Sequence, residues 1–253
     1  NKGDQKALMR IVNMIQKRDN STPLPPTNSD KDLANEFNTF YINKIAKIRQ
    51  QIDQLPQPVA HTAITQPPVN PPLLAEFSCL SQEQVEKLIK DLPSKSCALD
   101  PIPTTLLKDC LPELLPMLTD IINDSIVSSS VAPDMKKAII KPLLKKPKLP
   151  LIHKTFRPVS NLSFISKAIE KAIAVQLISH MESHGLFEKF QSAYHKHHST
   201  ETALLKIQND VLIEMDNGKV VALVLLDMSA AFDSIDPEIM LDRLQTCCGV
   251  TGK

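Results

Sequence analysis

Residues 220–233 read Val-Val-Ala-Leu-Val-Leu-Leu-Asp-Met-Ser-Ala-Ala-Phe-Asp. Seven apolar residues, Val220 to Leu226, run without interruption into Asp227. An apolar run of this kind is the pattern of a strand buried on both faces. It predicts a strand over 219–226 with Asp227 at its carboxyl end, where open α/β sheets carry their chemistry. A carboxylate in that place is a candidate ligand for a hard cation such as Mg²⁺. Its plainer use is to cap the turn or helix that follows.

Outward from this run, helical periodicity dominates. Asn217-Gly218 is a turn signal before the strand, and Asp236-Pro237 starts a helix carrying Ile239, Met240, Leu241 and Leu244 after it. Upstream, Thr200 to Met215 and Ser166 to Ser183 each place apolar residues at three- and four-residue spacing, the second ending near Gly185. Ala138 to Leu144 reads as a short strand, with Pro142 marking an edge position. Leu106 to Val127 is predicted helical with interruptions at Pro112 and Pro116. Ser81-Gln82-Glu83-Gln84 forms a capping box ahead of a helix over about 82–91. Leu33, Phe37, Tyr41, Ile45, Ile48 and Ile52 form the stripe of another helix, capped by Ser29 or Asp30. Residues 19–30 and 56–72, the latter with six prolines, read as linkers.

The chain has 253 residues and 42% hydrophobic content but no Trp, so Leu, Ile and Val must build its core. Its five cysteines form no CxxC pair, which argues against zinc. With no secretory leader in view, the odd count implies a reducing, intracellular setting. No apolar run reaches the ~18 residues of a membrane span. The net charge of +1 hides a segregation. Residues 136–206 hold thirteen Lys/Arg against four Asp/Glu, whereas residues 207–253 hold three against eight. A basic segment followed by an acidic one suits a polyanion binder beside a metal site.

The basic segment concentrates Lys136, Lys137, Lys141, Lys145, Lys146 and Lys148 within thirteen residues, with Pro142, Pro147 and Pro150 preventing a single helix. An extended Lys-rich hairpin can lie along a phosphate backbone; a solvated surface is the alternative. Arg157 precedes Pro158 and is biased to extended backbone; its guanidinium forks onto phosphate oxygens or onto a surface carboxylate. His195-Lys196-His197-His198 is a polar loop rather than a metal site, because adjacent side chains diverge and spaced ligands are missing. Ala230 and Ala231 leave backbone N–H groups without bulky neighbours, and such groups can hold phosphates.

Three strings carry a resemblance. Leu226-Asp227-Met228-Ser229-Ala230-Ala231-Phe232-Asp233 resembles the first catalytic box of reverse transcriptases from non-LTR (LINE-type) retrotransposons. Arg157 to Lys167 is similar to the family's first fingers box, and Gln191 to Leu204 to its second. All three stand in the family's order, and weaker likeness extends back to about Leu33, through Leu99 to Pro103 and Val131 to Pro133. The resemblance implies that Asp227 is a catalytic Mg²⁺ ligand with the Met228 carbonyl beside it. It implies that Arg157, Ala230, Ala231 and Phe232 meet the nucleotide, Phe232 as the ring that excludes a ribose 2′-hydroxyl. It also places Lys141, Lys145, Lys146, Lys148, Gln191 and Lys196 along nucleic acid. Where the family usually has Arg, this chain has His195, which is mostly neutral at pH 7, and nucleotide affinity should suffer.

The expected fold is α+β, a partial right-hand polymerase. A helical and Pro-rich linker region (1–72) and a helical region (73–135) would precede fingers and first palm strand (136–253). The expected function is that of an amino-terminal piece of an RNA-directed DNA polymerase, with RNA template, DNA primer, deoxynucleotides and Mg²⁺ as partners and no membrane. Two-metal chemistry needs several carboxylates, and no Asp-Asp pair occurs anywhere in the chain. The piece is therefore expected to be inactive alone. The rival readings are a non-catalytic nucleic-acid-binding module and a degraded retroelement copy.

Overall fold

A computed structural model describes residues 23–55, 71–228 and 230–252. Of the two linker predictions, residues 19–22 and 56–70 lie outside these residues, and residues 23–29 form no helix or strand. Helices α1 (Asp30–Asp53), α2 (Gln82–Asp91), α3 (Thr104–Asp109) and α4 (Leu111–Val127) come first. Strands β1 (Ala138–Leu144) and β2 (Phe156–Leu162) follow, then α5 (Phe164–Ser183), α6 (Thr200–Asp216) and α7 (Pro237–Cys248). The chain divides into two compact units, one holding residues up to Lys47 with Ala138–Asn161, the other Ile48–Lys137 with Leu162–Lys253.

The larger unit is built on α2, α3, α4 and α5. Val85, Ile89, Leu107, Leu118, Ile122, Phe164, Ala168 and Ala172 form its core, each at most 5% exposed. The spacing of Val85 and Ile89, and of Leu118, Ile122 and Ile126, puts one stripe of each helix inward. Ser81 caps α2: its side chain accepts from Gln84 N–H, and Gln84 reaches back to Ser81 N–H at 2.8 Å. Asp100 ties the approach to α5, accepting from Cys97 N–H at 2.5 Å and from Phe164 N–H at 2.6 Å. The strap 71–80 is held by amide side chains that imitate strand pairing. Asn123 exchanges two hydrogen bonds with the backbone of Leu80, and Gln176 exchanges two with Ser78. Leu74 bridges to the residues after α7 through Gly249 O and Thr251 N.

The smaller unit is a two-stranded sheet packed against the first turns of α1. Lys145 N–H donates to Thr155 O and Asn161 Nδ2 to Ile139 O, so β1 and β2 run in opposite directions. Leu33, Phe37 and Phe156 are buried there, and the Phe37 ring meets Phe156 edge-on at 5.3 Å and His153 at 4.7 Å.

Several expectations hold: α1, α2, β1, α6 and α7 lie where periodicity puts them, and Ser29 caps α1 through Asp32 N–H. Others need correction. Pro116 lies inside α4 without breaking it. The interruption is at Cys110, between α3 and α4. Helix α5 starts two residues before Ser166, where Ser163 caps it. The stretch after Lys148, read as loop, contains β2.

The largest correction is the opening run. Residues 219–228 form no strand. Val220 is 99% exposed, Leu225 83% and Leu226 90%. A strand buried on both faces needs a neighbour on each edge and a layer on each face. Among the described residues nothing pairs with this segment, since the only sheet is β1–β2. Asp227 therefore stands in an exposed loop and not at a strand end.

Candidate nucleic-acid and nucleotide site

In the smaller unit, Lys141 lies on β1 and Lys145, Lys146 and Lys148 on the connection to β2, all exposed. The strand pairing fixes this connection, and Lys145 Nζ donates to Lys154 O at 2.7 Å across it. Lys148 takes a left-handed conformation at φ +66°. Arg157 sits at the start of β2, exposed, with the extended backbone that Pro158 favours. Partial desolvation holds the Lys145 ammonium below its ordinary pKa, and the charges of Lys44 and Arg157 push it further the same way. A cation whose charge is disfavoured by its surroundings gains when a phosphate arrives. Lys44 belongs to α1 and escaped the sequence reading. Its only signal is the register of α1, where the aromatic stripe through Phe37 and Tyr41 packs on the sheet.

In the larger unit, Gln191 and Lys196 are exposed in the loop between α5 and α6. Tyr194 and His197 in that loop both have φ +65°, a conformation that costs an L residue about 1–2 kcal/mol. His195 is half-buried, its ring edge-on to Phe187 at 4.6 Å and near His198 at 5.4 Å. It is a packed ring and no metal cluster surrounds it: among the described residues no three His, Cys, Asp or Glu groups gather.

After Asp227 the chain enters a turn over 230–234. Ser234 N–H donates to Ala230 O at 2.9 Å, Ser234 Oγ donates to Ala231 O, and Ala230 has φ +55°. The Phe232 ring projects from this turn, 71% exposed, and meets Tyr194 edge-on with centroids 5.9 Å apart. The structure thus brings the loop before α6 and the turn after Asp227 together at Tyr194 and Phe232. Asp227 and Met228 stand exposed before the turn, with no further carboxylate of the described residues close enough to complete a metal-binding group. The donor set for a two-metal site is incomplete here. Beyond the turn, Asp236 caps α7, accepting from Glu238 N–H at 2.9 Å and Ile239 N–H at 3.3 Å. Arg49 of α1 donates to Asp236 Oδ2 at 2.6 Å and to Ile235 O at 3.1 Å. No helix among the described residues is long and apolar enough to cross a membrane.

Comparison with known proteins gives these observations a frame. Residues 144–249 match the family described as reverse transcriptase (RNA-dependent DNA polymerase), a segment that contains all three boxes. The chain is 26% identical over 204 residues to the probable RNA-directed DNA polymerase from transposon X-element of Drosophila melanogaster, covering 80% of this chain and 21% of that protein. It is 25% identical over 215 residues to the counterpart from transposon BS, covering 84% and 22%. Against the RNA-directed DNA polymerase from mobile element jockey it is 26% identical over 160 residues, covering 63% and 18%; both are from the same fly. The chain spans about a fifth of the length of the curated relatives it matches.

Proposed function

We propose, on the premise that residues 144–249 are reverse-transcriptase sequence of the non-LTR retrotransposon kind, that this chain supplies the fingers and the beginning of the palm of an RNA-directed DNA polymerase. The observation that carries the reading is the matched segment itself, with the Arg157, Gln191 and Asp227 boxes in order inside it. In this reading Lys44, Lys141, Lys145, Lys146 and Lys148 follow a nucleic-acid backbone, and Arg157 meets template or triphosphate. Gln191 and Lys196 add contacts from the loop before α6. Ala230 and Ala231 present N–H groups to phosphate, and Phe232 bears on the sugar. Asp227, with the Met228 carbonyl, is one part of a Mg²⁺ site, and Mg²⁺ would supply charge stabilisation for the transferring phosphate. Because no group of three or more His, Cys, Asp or Glu gathers among the described residues, no step of the reaction is assigned to this chain alone.

The 253-residue chain is therefore expected to bind RNA or RNA–DNA hybrid without sequence preference and to show no primer extension. Replacing Lys141, Lys145, Lys146 and Lys148 with Ala should flatten the plot of log affinity against log salt by about 3 if each lysine neutralises one phosphate. An unchanged slope would assign them to solvent. Template-dependent incorporation abolished by Asp227→Ala would overturn the expectation of inactivity. The second reading, a binding module without catalysis, is favoured by the exposed grouping of Lys141, Lys145, Lys146, Lys148 and Arg157 on β1, β2 and their connection. The two part in a protein that also carries the remaining palm and thumb. There Asp227→Asn should cost at least about a thousandfold in rate, roughly 4 kcal/mol of barrier, under the first reading and nothing under the second.

A further inference from the structure

We infer that Arg49 is a positioning residue for the turn that carries Phe232, acting through its fork onto Ile235 and Asp236. The inference rests on the reading of Phe232 as the residue that bears on the sugar.

Arg49 lies 187 positions before Asp236, on the last turns of α1. Its two terminal nitrogens divide their work: Nη1 donates to Asp236 Oδ2 and Nη2 to Ile235 O. A planar guanidinium holds two acceptors in fixed relation, which an ammonium cannot. Asp236 is itself divided, since Oδ1 takes the first N–H groups of α7. Carboxylate and carbonyl are thereby gripped from two sides where the chain leaves the 230–234 turn. The internal bonds of that turn end at Ser234, and the next residue is already in the fork. There is no slack between the grip and the turn from which Phe232 projects.

The surroundings agree with positioning rather than with bulk stability. The pair is 40% and 32% exposed on its two side chains, and it lines an open groove of about 1220 Å³ with Arg243, Lys189 and Glu188. Water reaches such a pair, so its worth to global folding is small. The Phe232 ring has no bulk of its own to hold it: it is 71% exposed and touches Tyr194 at the edge. A loop so lightly packed takes its geometry from its few polar ties.

Two measurements test this. In the 253-residue chain, amide hydrogen exchange over 230–239 is followed for the parent, Arg49→Met, Asp236→Asn and the double variant. Asn still caps a helix, so Asp236→Asn removes the ion pair while keeping α7. Each single change should speed exchange by about threefold to fivefold, the range of an exposed ion pair. The double variant should be no faster than the faster single. Unchanged exchange, or effects that multiply, would overturn the inference. In a protein carrying the remaining palm and thumb, Arg49→Met should lower the preference for deoxynucleotides over ribonucleotides by a similar factor. KM should rise while kcat stays within about twofold, and Arg49→Lys should fail to restore the preference. An unchanged preference where Phe232→Ala relaxes it would also overturn the inference. If Phe232→Ala leaves the preference intact, or no primer is extended, the polymerase reading fails instead, and exchange alone decides whether Arg49 positions the turn.

Discussion

Asp236 is where one residue does two jobs, and its titration exposes both. Arg49 first, then the Ile239 and Glu238 N–H groups, hold its carboxyl below the ordinary carboxylate range. A depressed folded-state pKa contributes stability that is present above the unfolded value of about 3.9 and lost as pH falls through the folded value below it. The amide signals of Glu238 and Ile239 should therefore shift and their protection weaken only below about pH 3.9, with no change between neutral pH and that point. Asp236→Asn should remove this pH dependence and retain the cap. A transition above that range would mean the carboxylate is not engaged as described. Lys145 shows the opposite sign for its class: burial, Lys44 and Arg157 disfavour its charge. The contribution of Lys44 is invisible in a sequence where it stands a hundred positions from Lys145.

At the scale of elements, Asp100 links the residues before α3 to the start of α5. Its two oxygens take two backbone N–H groups, charge-assisted bonds of the stronger class. Asp100→Ala should lower stability by about 2–3 kcal/mol, while Asp100→Asn, which keeps an acceptor, should cost about half as much in a denaturant melt. Equal, negligible costs would show that the start of α5 is held by its Ser163 cap alone. The elements that sequence made legible are those whose signals are local. The Ser81 box, the Asp236-Pro237 start and the Gly185 and Gly218 stops all act within a few residues. What stayed hidden depends on distant partners. Strand β2 has few β-formers and exists because β1 pairs with it. Pro116 reads as a breaker, yet α4 continues through it. The candidate site divides the same way. The resemblance names the box residues as candidates, whereas the Tyr194–Phe232 contact and the Arg49 fork were not legible, because both join segments far apart in the chain.

For the whole molecule, the decisive fact is an imbalance of apolar surface. The core about α2–α5 is dense, with Val85, Ile89 and Ala168 fully buried, yet the acidic carboxyl-terminal fifth buries little. Helices α6 and α7 contain no buried residue, Leu204, Leu205 and Leu241 are about 60% exposed, and the run 220–226 lies open. Apolar pattern in sequence states what a segment needs, and the described residues of this chain do not meet that need after residue 200. This gives a test that separates pattern from fold. If the run 220–226 is exposed in the folded chain, Val224→Lys and Leu226→Lys should change its stability by no more than about 0.5 kcal/mol, the range of surface substitutions. They should also raise solubility, because an open run of β-forming apolar residues is an aggregation hazard that one charge interrupts. If the run were instead a strand buried on both faces, the same lysines would each bury an unpaired charge and unfold the region, at several kcal/mol. Chemical denaturation of the two variants beside the parent decides between these outcomes. The comparison with Ile122→Ala, which empties a site 1% exposed and should cost about 2–5 kcal/mol, calibrates the scale in the same protein. A loss from Leu226→Lys as large as that from Ile122→Ala would put the Asp227 segment back in a sheet.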